Sequence, residues 1–589
     1  MSDEVPLERL IEKLREEYNF SDGSISLLLD KGFEQKEFRR LCEALNLPDE
    51  TFEERREKKS WMEKTIDMGD SEEITTGRYN RYVRDFKDIS SEQALVKGRM
   101  KFAVEYVISL AKLLAEHPEH GNLVKNPFSG EEEEKLRSIY KNFRTKDFVI
   151  AKIIEDKTNH DIVAANTWAN IRAQQLGLDD NLMRGIIHFA RTSADVNTNV
   201  TGELYSYAIG QWTESIIDLL SELKKRAVEY GRITCVAETH GQDAQLTTLG
   251  HIYANLAEQI ALHAKPLLMD EKLRLDGKIG GAIGTDVDMS VAFPNIDPTP
   301  MYKHIVEDLF DLKYVELGND QDCSNAALSQ ALDTMVNVGL VIEKTASDTW
   351  LYASRGVIGK ITSKGESGSS AMPQKANPYL AEGAEALTNI FTSMINPIKR
   401  MLVAYHEQGD LRRSITTREG FHPVMLSIIS IGRLIDEIKK YKPSIIAIEE
   451  EVYKAGPKII SSAIQNFLRK QGIPDAYDRI KNIVMKDYVK PEQIKSYIHE
   501  MVESGKINND VAGEIESMLY SVMDVEGNMR RLEESSCSEE QNELIERLKS
   551  ANGNAARMEL VGGAVTNTYR MVERIGGTIE LLSRYAVSD

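Results

Sequence analysis

Long stretches with helical hydrophobic spacing and no proline constrain the fold of this chain most. Residues 208–230, 247–264 and 324–354 repeat apolar side chains every three or four positions, with polar and charged residues between them. Helices of this length exceed the usual three turns or so and need packing partners along their whole length. The pattern therefore predicts an all-α fold built on a bundle of long, nearly parallel helices, which we expect to continue across subunits.

Charge and cysteine usage narrow the class of protein. The 589 residues carry a formal net charge of -20, which disfavours general binding to nucleic acids or membrane surfaces, because like charges repel. The four cysteines are scattered, so neither a disulfide framework nor a zinc site is expected. The amino terminus resembles no export signal, and no apolar run is long enough to cross a bilayer. We expect a cytoplasmic enzyme that binds an anionic small molecule through local cations.

Residues 363–378 contain the most informative loop. Two glycines free the backbone beside the hydroxyls of Ser369 and Ser370, and Lys375 and Asn377 follow a proline. A mobile hydroxyl loop next to a cation suits a site where an anion binds, the loop closes, and a carbon loses a proton. An ordinary polar connection between helices is the alternative.

The string Gly-Ser-Ser-x-Met-Pro-x-Lys-x-Asn-Pro at 368–378 resembles the signature loop of the fumarase/aspartase superfamily, whose members eliminate fumarate or related products from substituted succinates. The resemblance implies a three-domain, all-α fold and a homotetramer whose sites are each assembled from several subunits. It assigns Ser369 as the catalytic base and Lys375 and Asn377 to the developing negative charge. No metal or cofactor is implied.

Several further motifs resemble the adenylosuccinate lyase branch of that superfamily. Gly-Arg-Tyr at 77–79, Thr-Asn-His-Asp at 158–161 and Thr-Ser at 192–193 match its substrate-binding elements, and Gln321 agrees in register. From the residues alone, each has a plain alternative, such as a turn, a solvated glutamine, or a helix N-cap at Thr158 or Asn159. The resemblance implies this substrate-binding set: Arg78, Tyr79, Asn159, His160, Asp161, Thr192, Ser193, Gln321, Asn377, Ser414 and Arg418.

His240 is the candidate general acid. It is predicted at a loop-to-helix junction where Gly241 permits close approach, although a lone histidine is more often structural. In the resemblance His240 protonates the departing nitrogen, and Glu382 pairs with that histidine from a neighbouring subunit. Asp243 departs from the more usual proline.

The segment 406–418 matches the family less completely. Ser414 and Arg418 occupy phosphate-binding positions, but Gly409 replaces an arginine that usually precedes the Asp-Leu pair. Arg412 and Arg413 are the two candidates to supply the missing charge. The glycine-rich turn at 277–284 lacks the spacing of a dinucleotide fingerprint, so we assign it to close backbone packing near the site.

The predicted organisation has four parts: a helical extension at 1–72, a helical domain at 73–190, the long-helix bundle at 191–445, and a carboxy-terminal helical domain with an extension at 446–589. The expected function is cleavage of adenylosuccinate to AMP and fumarate, and of the succinylated carboxamide ribotide in purine synthesis. Another fumarate-releasing enzyme, such as an argininosuccinate lyase, and a non-catalytic helical scaffold are the alternatives.

Overall fold

A computed structural model gives the fold of most of the chain. The described residues are 5–51, 54–55, 58, 74–117, 127–178, 185–268, 274–361, 372, 374–485, 489–523 and 555–584. They are mostly helical, and the strands among them form three two-stranded sheets. The prediction of an all-α fold is confirmed. None of the described helices is both long and apolar enough to cross a membrane.

The helices follow one another along the chain with short connections. They are α1 (Leu7–Tyr18), α2 (Asp22–Asp30), α3 (Gln35–Leu45), α4 (Ile74–Tyr79), α5 (Lys87–Ser90), α6 (Glu92–Ala115), α7 (Gly130–Lys141), α8 (Thr145–Thr158), α9 (Asp161–Gln175), α10 (Ser193–Glu229), α11 (Leu249–Ala264), α12 (Val287–Ala292), α13 (Thr299–Lys303), α14 (Ala326–Ser354), α15 (Tyr379–Val403), α16 (Arg412–Glu419), α17 (Phe421–Lys440), α18 (Ile445–Ala455), α19 (Ser461–Lys470), α20 (Ala476–Val484), α21 (Pro491–Glu503), α22 (Asn509–Met523) and α23 (Ala555–Leu582).

Short strands pair in three places. They are β1 (Thr234–Thr239), β2 (Gln242–Thr248), β3 (Asp276–Gly277), β4 (Lys313–Tyr314), β5 (Ile358–Lys360) and β6 (Tyr441–Pro443). The pairs β1–β2 and β5–β6 are antiparallel, and β3–β4 is parallel. Segments of 3₁₀ helix occupy Asn80–Tyr82, Lys265–Leu268 and Gly456–Ile460, and a π-helical turn occupies His304–Leu309.

The chain divides into two compact units. The first comprises Met1–Trp212, Asp270–Asp333 and Phe391–Ile429. The second comprises Thr213–Met269, Thr334–Ile390 and Ser430–Asp589. The unit boundaries fall inside the long helices α10, α14, α15 and α17. The four-part division expected from the sequence remains a prediction.

Helix α6 lies in the core of the first unit. The rings of Phe102 and Tyr106 are buried and stack with their centroids 6.0 Å apart. Glu105 lies between them in sequence and is also buried, so its charge needs partners. Arg137 donates to its Oε1 atom over 3.0 Å and the Tyr140 hydroxyl donates to the same atom over 2.7 Å. These bonds fasten α7 to the buried helix.

The amino-terminal helices pack on α8 and α9, which carry site residues. The ring centroids of Phe20 and Trp168 lie 6.4 Å apart, and the Gln175 side chain donates to the carbonyl of Tyr18 over 2.8 Å. Helical structure was predicted for this extension, and α1 to α3 confirm it for the described part. The extension thus supports the α8–α9 pair from outside the cavity described below.

The second unit has its own apolar core. Buried side chains of α18 to α22 form one cluster with Val236 of β1. Helix α23 packs along α11, where Arg574 pairs with the buried Glu258 at 2.8 Å. The last described helix is therefore an integral part of this unit.

Candidate functional site

A cavity of about 550 Å³ opens in the first unit. Four separate segments of the chain contribute to its wall. Eight of the substrate-binding residues named from the sequence lie there: Asn159, His160, Asp161, Thr192, Ser193, Gln321, Ser414 and Arg418. Because these residues are far apart in sequence, only the fold brings them together.

The corner between α8 and α9 presents three of these residues. Asn159 ends α8 in the left-handed conformation, with φ of 49°, and donates its backbone N–H to the carbonyl of Glu155 over 2.7 Å. His160 is the N-cap of α9, and its ring accepts from the backbone N–H of Val163 over 3.5 Å. The capping alternative named Thr158 or Asn159 as the N-cap and was therefore wrong, because Asn159 serves the preceding helix.

Asp161 links two arginines in the cavity wall. Its Oδ2 atom accepts from Arg99 over 2.6 Å and from Arg418 over 2.8 Å. Arg99 is only 2% exposed, and this burial lowers the pKa of its guanidinium while Asp161 opposes the shift. Arg418 also donates to the carbonyl of Ser414 over 3.0 Å. The predicted phosphate pair, Ser414 and Arg418, is thus oriented by a carboxylate.

A buried carboxylate fixes the turn that bears Thr192. Asp195 accepts from the backbone N–H groups of Thr192 over 2.9 Å, Gly280 over 3.0 Å and Gly281 over 3.2 Å. Its charge is balanced by Lys278, whose Nζ lies 3.0 Å away and whose side chain is fully buried. Asp195 therefore couples the Thr192 turn to the glycine-rich turn.

The glycine-rich turn packs closely, as predicted. A Cβ atom at Gly277 would come within 2.5 Å of Asn199, and one at Gly284 within 2.4 Å of the carbonyl oxygen of Asn319. Gly284 also has a φ of +72°, which disfavours other residues. A larger side chain at either position would force the backbone beside the cavity to move.

Gly409 touches Gln321 directly. A Cβ atom at Gly409 would lie 2.7 Å from Oε1 and 2.8 Å from Cβ of Gln321. The backbone N–H of Gln321 donates to the carbonyl of Gln408 over 2.9 Å, which holds the two segments together. The glycine that replaces the usual arginine therefore makes room for a second candidate substrate-binding residue.

The two arginines after Asp410 have different environments. Arg412 donates through Nε to Asp410 over 2.9 Å, and hydrogen bonding from Arg412 holds the pKa of that carboxyl well below its usual value. Arg413 is 4% exposed and lines the cavity, whereas Arg412 is not among its lining residues. The structure thus separates two residues that the sequence left equivalent.

Sequence reasoning missed part of the wall. Asn197, Thr198 and Thr201 of α10 line the cavity together with Asp322 and Asn325. The α10 residues follow Ser193 by four, five and eight positions and therefore share a helix face with it. Helical phase, counted from the Thr-Ser motif, was the signal that could have found them.

Arg78 and Tyr79 lie elsewhere in the first unit. They end α4, with the Arg78 guanidinium carbon 6.0 Å from the centroid of the Tyr79 ring. Arg78 is exposed, and neither residue is among those that line the cavity. Their predicted contact with the nucleotide remains a prediction.

The candidate general acid occupies a hairpin in the second unit. His240 and Gly241 connect β1 to β2, with φ angles of 56° and 68°. Two consecutive positive φ values are typical of the tight turn that joins two antiparallel strands. The expected loop-to-helix junction was therefore wrong, because seven residues of strand separate the turn from α11, which begins at Leu249. His240 is exposed at the hairpin tip.

Glu382 lies in the first turn of α15. Its Oε1 accepts from the indole N–H of Trp350 over 3.2 Å. Among the residues that the structure describes, no ion pair joins Glu382 to His240 within one chain. A pairing supplied by a neighbouring subunit, as the resemblance implies, remains a prediction.

The end of the signature loop is anchored in the second unit. Lys375 is exposed, whereas the carbonyl of Asn377 accepts from Lys360 over 2.8 Å. Arg433 donates to the carbonyl of Tyr379 over 2.8 Å. Ser369, the candidate base, lies outside the described residues.

Two family models match this chain. A model described as lyase matches residues 77–392, and a model described as adenylosuccinate lyase C-terminal matches residues 406–521. The first covers more than half of the chain and includes His240, Ser369, Lys375 and Glu382. The second begins at His406 and includes Ser414 and Arg418.

Curated relatives extend over most of the chain. An adenylosuccinate lyase from Dictyostelium discoideum is 28% identical over 446 residues, which cover 74% of this chain and 93% of the relative. One from Haemophilus influenzae is 26% identical and covers 72% of this chain and 91% of its own. One from Escherichia coli strain K12 is 24% identical, with coverage of 72% and 90%.

A solved structure shares the fold. The crystal structure of β-carboxy-cis,cis-muconate cycloisomerase from Acinetobacter calcoaceticus aligns with a TM-score of 0.56 and 15% identity. The alignment covers 77% of this chain and 96% of that one. At this identity the likeness concerns the architecture alone.

Proposed function

This chain belongs to the lyase family of the fumarase/aspartase superfamily, and from that premise we propose that it releases fumarate from adenylosuccinate to leave AMP. The proposal extends to the succinylated aminoimidazole carboxamide ribotide, which carries the same leaving group. The observation that carries it is the convergence of the corner at 159–161, the Thr-Ser turn, Gln321 and α16 on one cavity. These elements were named from the sequence as nucleotide and succinyl contacts.

The charge of the cavity suits an anionic substrate only locally. The whole chain carries -20, so the long-range field does not attract a nucleotide. Arg413 and Arg418 line the cavity, and Arg99 lies behind Asp161. Three guanidinium groups around one pocket provide charge-assisted hydrogen bonds where a phosphate and two carboxylates must be held.

The proposed reaction is a β-elimination. Ser369 removes the proton from the carbon next to one succinyl carboxylate, and negative charge spreads into that carboxylate. The bond to nitrogen then breaks, its electron pair remains on nitrogen, and His240 supplies the proton that the amine needs. Lys375 and Asn377 stabilise the intermediate, and loss of one such donor typically costs about 2.7–4 kcal/mol of barrier.

We propose that each site is completed by other subunits of a cytoplasmic homotetramer. His240 is exposed at the tip of a hairpin, and within the described chain it has no ion-pair contact with Glu382. A hairpin tip projects beyond its own strand pair, which suits the delivery of a histidine to a cavity on another copy. Lys375 is exposed as well, which supports the same arrangement.

The test is an ultraviolet assay of the purified protein with adenylosuccinate and, separately, with argininosuccinate. We expect turnover of the first and none of the second. Turnover of argininosuccinate alone would replace the proposal with an argininosuccinate lyase, and failure of both substrates would favour a non-catalytic scaffold. The Ser369→Ala variant controls for a contaminating lyase, because it should be inactive while folding normally.

Subunit sharing has its own test. Inactive His240→Ala and Ser369→Ala proteins are dissociated together and reassembled, so that some sites receive one intact copy of each residue. We expect activity to return in the mixture but in neither parent treated alone. A fully active monomer, or a mixture that stays inactive although gel filtration shows mixed tetramers, would contradict shared sites.

A further inference from the structure

Arg413 is a buried cation whose role no sequence motif assigns. It lies in the first turn of α16, its side chain is 4% exposed, and it lines the cavity next to Ser414. Its guanidinium carbon is stacked 3.4 Å from the centroid of the Tyr405 ring. The Tyr405 hydroxyl donates to Asp320 over 2.6 Å, which fixes the ring under the guanidinium.

Only one edge of the Arg413 guanidinium is satisfied. Nη1 donates to the carbonyl of Cys323 over 3.2 Å and lies 3.5 Å from Oδ2 of Asp322. Within the described part of the chain, Nε and Nη2 have no hydrogen-bond partner, although both atoms are buried. These two nitrogens form the edge of a guanidinium that binds phosphate or carboxylate through two parallel hydrogen bonds. Burial without a partner is costly, so the edge favours an anion that can reach it.

The surroundings of this edge favour phosphate. Ser414 follows Arg413 on α16, and Arg418 lies one turn further on and donates to the Ser414 hydroxyl. No side chain caps the N-terminus of α16, so the positive end of the helix dipole is available to an anion. The neighbouring Arg412 is already bound to Asp410 and does not line the cavity.

We propose that Arg413 binds the phosphate group of the substrate through Nε and Nη2 and so replaces the arginine that is absent at Gly409. The inference rests on the proposed function, because it assumes that the ligand of the cavity is a nucleotide. Gly409 and Arg413 then form a coupled exchange. The glycine leaves room for Gln321, and the charge enters the same cavity wall from α16.

The test compares Arg413→Gln with the matched control Arg412→Gln in the full-length protein. Each variant loses one positive charge at the same helix end, but only the first loses a cavity cation. Calorimetry measures the affinity for AMP, inhibition of turnover measures the affinity for fumarate, and steady-state kinetics give kcat and KM. We expect Arg413→Gln to weaken AMP binding about 10- to 150-fold and to raise KM with little change in kcat, because the phosphate is remote from the reacting bond.

The control and the ligands separate the outcomes. Arg412→Gln should change AMP affinity less than about fivefold, since an exposed ion pair contributes about 1 kcal/mol at most. Fumarate inhibition should be unaffected by either variant. Equal AMP affinities for the two variants would overturn the inference, and so would a loss confined to fumarate, which would assign Arg413 to a carboxylate.

Two further measurements keep the inference separable from folding and from the proposed function. If Arg413→Gln does not fold, Arg413→Lys keeps the charge but loses the two-pronged edge, and we expect it to weaken AMP binding at least about fivefold. Wild-type affinity in that variant would overturn the inference. Failure of the proposed function would appear as wild-type protein that does not cleave adenylosuccinate, whatever the Arg413 variants do with AMP.

Discussion

Restoring the usual arginine at Gly409 should impair the site. A Cβ atom at this position would lie 2.7 Å from Oε1 and 2.8 Å from Cβ of Gln321, so even the first carbon of the new side chain forces Gln321 to move. Gln321 is held by its backbone N–H bond to Gln408, which limits how far it can retreat. Overpacking of this kind costs about 1–3 kcal/mol, which corresponds to a rise in KM of about 5- to 150-fold if the strain falls on substrate binding.

The assay is steady-state kinetics with adenylosuccinate for Gly409→Arg and Gly409→Ala, together with AMP affinity by calorimetry. Because the collision begins at Cβ, alanine should reproduce most of the effect of arginine, within about threefold. Wild-type melting behaviour in both variants would show that the effect is local. The reasoning would be refuted if Gly409→Arg bound AMP more tightly than wild-type protein, because the cavity would then still accept the arginine that its relatives carry.

Three other perturbations have defined outcomes. His240→Gln should lower kcat by about 10²- to 10⁴-fold, as expected for a general acid, with AMP affinity unchanged by calorimetry; an equal loss of AMP affinity would instead make His240 a binding residue. Asp161→Asn should lower the free energy of unfolding by about 2–4 kcal/mol in urea titrations, because it leaves the buried Arg99 without its carboxylate; an unchanged midpoint would contradict that dependence. Burial raises the pKa of Glu437 to about 7, so its stabilising protonated form is lost as pH rises through that value; Glu437→Gln should therefore melt higher than wild-type protein at pH 8.5 but equally at pH 5, and equal shifts at both pH values would refute this assignment.

Helices and local motifs were predictable from the sequence because their signals are local. The apolar spacing in 324–354 predicted a long helix, and α14 occupies Ala326–Ser354. The Thr-Ser pair and the corner motif at 158–161 were recognised by residue type alone, and the fold brings both to the same cavity. A short motif keeps its meaning because its backbone geometry depends on neighbouring residues.

The hairpin that carries His240 was missed although its signal was present. Two short runs rich in threonine flank a two-residue His-Gly turn, which is the pattern of a tight hairpin. The prediction of helices on both sides concealed it. A two-stranded hairpin gains most of its stability from packing, here through Val236 in the core of the second unit, which a local pattern does not reveal.

The choice between Arg412 and Arg413 could not be made from the sequence. Adjacent residues on a helix point about 100° apart, so the orientation of α16 decides which one is buried. That orientation depends on distant contacts, such as the Tyr405 ring and the carbonyl of Cys323. The same limit applies to Asp322 and Asn325, whose place in the wall follows from tertiary packing.

The most direct measurement is a crystal structure of the Ser369→Ala protein with adenylosuccinate bound. We predict that the substrate occupies the cavity of the first unit, with its phosphate within hydrogen-bonding distance of Ser414 and Arg418. A His240 from another subunit should face the nitrogen that bears the succinyl group. Adenylosuccinate bound away from α16, or an assembly in which no copy of His240 reaches that nitrogen, would contradict the account.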